Sequence, residues 1–131
     1  MNTKIKTYTV YYDHACECVV MDWNGYATSA QFREGTEKML QELIEHRCSK
    51  VLADASDMVL IGREDQKWLE KNFLPRAVAR GFNAIALVKP KNYFNAVAVE
   101  TISRHADQRR LRIRIFDDVE EARVWLAQMD E

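Results

Sequence analysis

The residues of this chain best suited to metal or nucleophile chemistry are three histidines and three cysteines. His14, Cys16 and Cys18 form an H-x-C-x-C string, which gathers soft nitrogen and sulfur donors in one short stretch. His46 and Cys48 are expected at the same end of the fold and could complete a donor set. The spacing matches no common zinc module, so we read His14 as a turn residue and the cysteines as packed or exposed thiols, with no metal. Met1–Lys6 is basic but lacks the apolar run of a signal peptide. An odd number of cysteines then points to free thiols in a reducing cytoplasm.

Catalytic signals are sparse. His14, His46 and His105 have no serine or cysteine nucleophile in an elbow beside them, and G-x-S-x-G is absent. Glycines stand singly at positions 25, 35, 62 and 81, so no phosphate-cradling loop exists. Asp22, Asp54 and Asp57 fall near strand ends, where open α/β sheets place ligands, yet Asp54 suits a turn or cap better than a general base. Ser56, at the exit of the third strand, reads as a turn residue. Without a nucleophile–base pair the chain is expected to be noncatalytic and to need no cofactor.

Charge narrows the partners. The 131 residues hold 19 Lys and Arg against 20 Asp and Glu, a net charge of -1. Nucleic acid is therefore not expected. Arg104, Arg109, Arg110, Arg112 and Arg114, with Lys89 and Lys91, make the C-terminal third locally basic. Such charge ordinarily keeps an exposed strand soluble and unpaired; anionic headgroups or an acidic partner are the other reading, so peripheral membrane contact stays open.

The apolar residues are more suggestive. Met58, Val59, Leu60 and Ile61 form an apolar run expected in a loop, where polar residues are the rule. Such a run must pack inward, meet a partner or line a cavity. Trp68, Phe73 and Leu74 follow on the second helix, and Phe82, Tyr93 and Phe94 flank the fourth strand.

The elements that position these residues can be read in order. Thr7–Tyr12 and Cys18–Trp23 are β-branched and aromatic, and their short connection predicts an antiparallel hairpin. Thr28 or Ser29 caps a helix carrying Phe32, Met39, Leu40 and Leu43 at helical spacing. Lys50–Asp54 is a buried strand. Gly62–Asp65 opens the second helix, in which Pro75 predicts a kink or break. Ala84–Val88 is a strand, 92–104 a third helix, Leu111–Phe116 the last strand, and Asp117 or Asp118 caps a fourth helix. The order β-β-α-β-α-β-α-β-α predicts right-handed crossovers with the helices on one face. Arg110, Arg112 and Arg114 alternate with Leu111, Ile113 and Ile115, which leaves that edge partly solvated on the other. With 47% hydrophobic and 30% charged residues the chain is globular. It reads as one domain over 1–131, with a core of about 7–127. No apolar run approaches the roughly 18 residues of a membrane span.

This order, with several local strings, resembles the SpoIIAA-like branch of the STAS superfamily. The strings are Trp23-Asn24-Gly25, Phe32-Arg33-Glu34-Gly35, Leu52-Ala53-Asp54, Glu64-Asp65-Gln66-Lys67-Trp68-Leu69, Leu74-Pro75-Arg76-Ala77 and Ile85-Ala86-Leu87-Val88. The resemblance implies an α/β STAS/SpoIIAA-like fold, shared with SEC14-like lipid carriers. Its sheet would be mixed, mostly parallel and five-stranded, with an N-terminal antiparallel hairpin and four helices. It also implies a role in binding a nonpolar molecule or a membrane surface. The phosphoserine of anti-sigma antagonists has no counterpart in Leu60–Asp65.

The expectation is a noncatalytic cytoplasmic domain holding a small nonpolar, lipid-like ligand between helices two and three. The lining residues would be Met58, Leu60, Ile61, Trp68, Phe73, Tyr93, Phe94 and Val97. The Met58–Ile61 loop would serve as hinge or lid, and the break at Pro75 would let the first part of helix two move. The alternative is a STAS-type protein-interaction module without the phosphoserine switch, acting through the same helix face. A homodimer is a further expected partner, through the uncovered sheet face.

Overall fold

The computed structural model describes residues 7–58, 61–91, 97, 100 and 111–129. In chain order the elements are β1 Tyr8–Asp13, β2 Cys18–Gly25, α1 Ser29–Glu45, β3 Lys50–Met58, α2 Arg63–Trp68, a π-helical turn Leu69–Phe73, α3 Leu74–Ala79, β4 Ala84–Val88, β5 Arg112–Phe116 and α4 Val119–Ala127. Val97 and Glu100 are helical; the rest of the third helix expected from sequence lies outside the described residues. Strands join one sheet in the order β1-β2-β3-β4-β5. β1 runs antiparallel to β2, and every later pair is parallel.

The local chemistry explains the boundaries. Thr28 caps α1 through a capping box: its hydroxyl accepts from the Gln31 amide, while the Gln31 side chain accepts from the Thr28 amide. Asp118 accepts from the Glu120 amide and caps α4. Gly81, at φ 106°, takes the left-handed conformation that ends α3.

Several boundaries differ from the sequence reading. β3 runs on to Met58, which pairs with Gly25, so Met58 is a strand residue and not part of a loop. Ser56 likewise lies inside β3. A neighbouring strand explains both: β2 itself extends to Gly25 past a register shift between Asp22 and Asn24, and supplies the partners. Of the kink or break expected at Pro75 the break is corrected, because the helical path continues through it, with its irregularity in the π-turn just before. Leu74 N–H bonds the carbonyl of Leu69, five residues back. That wider turn leaves room for the proline ring, which would clash in a regular α-turn.

The sheet is covered on two faces. Val19, Met21, Trp23, Val51 and Ala53 pack with Phe32, Met39 and Leu43 of α1 and with Phe73 and Ala77. Val20, Leu52, Ala86, Val88 and Phe116 pack on the other face with Ala122 and Leu126 of α4. All helices were expected on one face, and α4 corrects this. The handedness rule binds only helices that link parallel strands; α4 follows the last strand and is free to cross the back. Coverage on both sides accounts for the unbroken apolar run Ala84–Val88. The β5 edge is as expected, with Arg112 and Arg114 exposed and Ile113 and Ile115 half-buried.

The cysteines are a second correction. Cys16 and Cys18 are joined in a disulfide, and only Cys48 remains a buried thiol. Glu17, at φ 53°, turns the chain so that the two Cα atoms lie 5.5 Å apart, within disulfide range. By chain entropy, closing so short a loop stabilises the fold by only about 1.6 kcal/mol.

Candidate functional site

A cavity of about 90 Å³ opens between the sheet and the helices α1 to α3. Its floor is made by alternate residues of β2 and β3: Met21, Trp23, Ala53 and Ala55. The two alanines are the physical origin of the space, since they leave the sheet surface low between larger neighbours. Phe32, Thr36 and Met39, spaced four and three apart, wall it from α1. Phe73 and Leu69 close it from the π-turn, and Ile85, Leu87 and Ile113 from the far strands.

The lining is almost wholly apolar and offers water little to bond. Among its described residues Thr36 alone carries a hydroxyl, and that group donates to the Phe32 carbonyl at 2.7 Å. A water needs two to four polar partners, so an apolar group fits this space better.

Aromatic rings run along one wall in sequence: Tyr8 to Trp23 at 5.6 Å, Trp23 to Phe32 at 5.4 Å, Phe32 to Trp68 at 6.3 Å and Trp68 to Phe73 at 5.7 Å between centroids. A polar clamp holds the helices behind them. Buried Asp65 accepts from Ser29 Oγ at 2.6 Å and from Arg33 Nε at 3.1 Å. The Arg33 guanidinium also lies 5.2 Å over the Trp68 ring. α1 and α2 are thereby pinned together at their N-terminal ends.

Of the residues expected to line a ligand site, Met58, Ile61 and Phe73 do line the cavity. Trp68 stands behind Phe32 and Phe73 and touches the cavity through them. Val97 is 42% exposed and takes no part in the lining. Leu60, Tyr93 and Phe94 lie outside the described residues. Sequence reasoning overlooked the sheet and α1 contribution: Met21, Trp23, Phe32, Met39 and the two alanines. The signal was available in the alternation of β2 and β3, which places Met21, Trp23, Ala53 and Ala55 on one face.

The other candidates resolve differently. His14 meets Tyr12 edge-on at 4.8 Å, and His46 stacks on the same ring at 4.2 Å. Cys16 and Cys18 are bonded to each other. Among the described residues no three metal-ligating side chains are gathered. Within β3, Asp54 Oδ1 accepts from the Ser56 hydroxyl at 2.7 Å and the Ser56 amide at 3.0 Å, a local side-chain bond. Lys91 Nζ lies 3.3 Å from Asp57.

Asp22, exposed on β2 beside the other two acids, is the member of this group whose titration is displaced. Desolvation raises its pKa, and the Asp54 and Asp57 charges raise it further. A carboxyl whose folded pKa exceeds its unfolded value destabilises the fold when ionised. The penalty is full above the folded pKa and fades as pH falls toward the unfolded value. Asp22→Asn is therefore expected to raise the melting temperature at pH 7 and to leave it unchanged once the pH falls below the ordinary carboxylate range. A pH series of thermal melts checks this; equal melting of both proteins at pH 7 contradicts it.

A hairpin leading a parallel sheet, with strands added in chain order and α1 to α3 over one face, is the architecture of a STAS-type domain. The chain belongs to the SpoIIAA-like family, whose sequence profile matches residues 18–127. A crystal structure of an uncharacterised protein of the DUF3478 family with a SpoIIAA-like fold, from Shewanella loihica PV-4, superposes with a TM-score of 0.62 at 14% identity. That match covers 96% of this chain and 98% of the other. At this identity the likeness concerns the fold alone. No protein of curated function matches the sequence. Among the described residues no helix is long and apolar enough to cross a membrane.

Proposed function

We propose that this STAS-type domain is a noncatalytic cytoplasmic binding protein whose apolar cavity holds a small nonpolar molecule. The observation that carries the reading is the cavity itself, with an apolar lining in which the Thr36 hydroxyl is already bonded within the helix. Its size limits the ligand. An aliphatic cavity of roughly 150 Å³ accommodates a benzene ring. The present 90 Å³ therefore takes a smaller group, such as the end of a short alkyl chain. A longer lipid-like chain requires the helices to part from the sheet. Each buried methylene then contributes about 0.8 kcal/mol, which favours the longest chain the site can open to admit.

Methionine methyl resonances give a direct test. Met21, Met39 and Met58 line the cavity, while Met129 packs against the opposite core beside α4. Titration with xenon and short alkanes should shift the first three methyls and spare Met129. Ala55→Leu, which fills the floor, should remove the shifts. If no solute in the series perturbs those methyls at millimolar concentration, the cavity is a packing defect, and the protein-interaction module becomes the better reading.

A further inference from the structure

The Cys16–Cys18 bond lies away from the cavity, in the buried cluster on the opposite face of the sheet that also holds Val20, Ala122 and Leu126. Its span argues against a structural staple. The cysteines are two residues apart, so the bond removes little freedom from the unfolded chain. The ring also encloses Glu17 at φ 53°, a left-handed conformation that residues other than glycine seldom adopt. Opening the ring lets Glu17 relax. The bond also sits directly beneath an exposed turn, since His14, Ala15 and Glu17 all face solvent. A third sulfur is close: the Cys48 thiol donates to the Glu17 carbonyl at 3.4 Å. The disulfide itself is buried, so its lability rests on the disfavoured backbone it encloses, with solvent one residue away on either side of Cys16.

We infer that Cys16 and Cys18 form a reversible dithiol–disulfide couple that exchanges with low-molecular-weight thiols of the glutathione class. A thiolate attacks Cys16 Sγ, the less buried of the pair at 5% against 0% exposure. The S–S bond breaks, and its electron pair leaves on Cys18 Sγ, which takes up a proton. A second thiolate attacks the external sulfur of the mixed disulfide. It releases the external disulfide and the Cys16 thiolate, which is protonated in turn. The protein gains two electrons and two protons, and two external thiols become one disulfide. Oxidation runs the same steps in reverse.

The reader of this couple is α4. Ala122 and Leu126 belong to the same buried cluster as the two cysteines, joined to them through Val20 and Leu52 of the sheet. Arg123 Nη1 bonds Asp13 Oδ2 at 2.5 Å, and Asp13 Oδ1 accepts from the Ala15 amide at 2.8 Å. Lys50 Nζ donates to the Leu126 carbonyl at 3.0 Å. Asp13 and Ala15 belong to the turn that the disulfide closes, so a change in that turn on reduction reaches α4 through Arg123.

The purified chain is equilibrated in glutathione buffers running from fully oxidised to largely reduced, quenched in acid, unfolded and alkylated. Intact mass then counts thiols. One alkyl group is expected at the oxidising end, on Cys48, and three at the reducing end. The midpoint should be the same approached from either side. Cys48→Ser should lower both counts by one and leave the midpoint unchanged. Amide hydrogen exchange in 119–127 should be faster in the reduced protein. A count of three at every ratio, a count of one at every ratio, a stable glutathione adduct, or a bond that includes Cys48 each overturns the couple. Equal exchange in both states overturns its coupling to α4. None of these readouts depends on occupancy of the apolar cavity.

Discussion

Phe73→Ala should lower the stability of the fold by about 3–5 kcal/mol, the ordinary cost of removing a buried phenyl ring. Phe73 is 1% exposed and closes the cavity from the π-turn. Its ring packs on Trp68, and the Arg76 guanidinium lies 5.7 Å over it. Truncation removes the transfer energy of the ring and joins its space to a cavity that already exists, so the surroundings have little reason to collapse. For a chain of this size the melting temperature should fall by roughly 10 °C or more. The enlarged cavity should then take benzene, which the parent excludes by volume. Urea unfolding gives the first number, and methyl shifts of Met21 and Met39 on adding benzene give the second. A loss below about 1 kcal/mol would show that the helices close over the gap.

Gly35→Val should be similarly damaging, for the opposite reason. A Cβ at Gly35 would lie 2.9 Å from Cη2 of Trp23 and 3.0 Å from Cγ of Tyr8. Both rings are fixed, Trp23 by its stack on Phe32 and Tyr8 by its hydroxyl bond to Glu34 at 2.6 Å. Replacing a helical glycine by alanine ordinarily stabilises by about 1 kcal/mol. Overpacking costs about 1–3 kcal/mol and outweighs that gain here, so even Gly35→Ala should be a net loss. Valine adds two methyls to the clash and gives up part of the propensity gain. It should cost about 3 kcal/mol and push α1 off the sheet. Thermal melts of the two variants should therefore fall in the order parent, Ala, Val. An alanine variant that melts above the parent would mean that Trp23 yields.

Much of the architecture was legible because it follows from periodicity. The hairpin, α1 with its apolar stripe from Phe32 to Leu43, and the strands β4 and β5 stand where the pattern places them. The basic alternation of β5 correctly marked an edge with exposed arginines. These are local matters, since each residue's neighbours in sequence decide which side it shows. The noncatalytic reading rests on the same kind of inspection.

What needed tertiary structure was whatever depends on a partner distant in sequence. The end of β3 is set by β2, so Met58 could not be placed from its own neighbourhood. The proline in the second helical run is tolerated because the preceding turn widens, a choice that packing of Phe73 against the core stabilises. The face chosen by α4 is fixed by its contacts with β3 and β4, because no crossover rule constrains a helix after the last strand. The cavity is the clearest case. The apolar residues were visible as such, and Met58, Ile61 and Phe73 were singled out among them. Yet a cavity is the volume that packing fails to fill. Here it exists because Ala53 and Ala55 meet Phe32, Met39 and Phe73 across the core. Composition names the apolar residues; only their mutual distances in the folded chain decide where space remains.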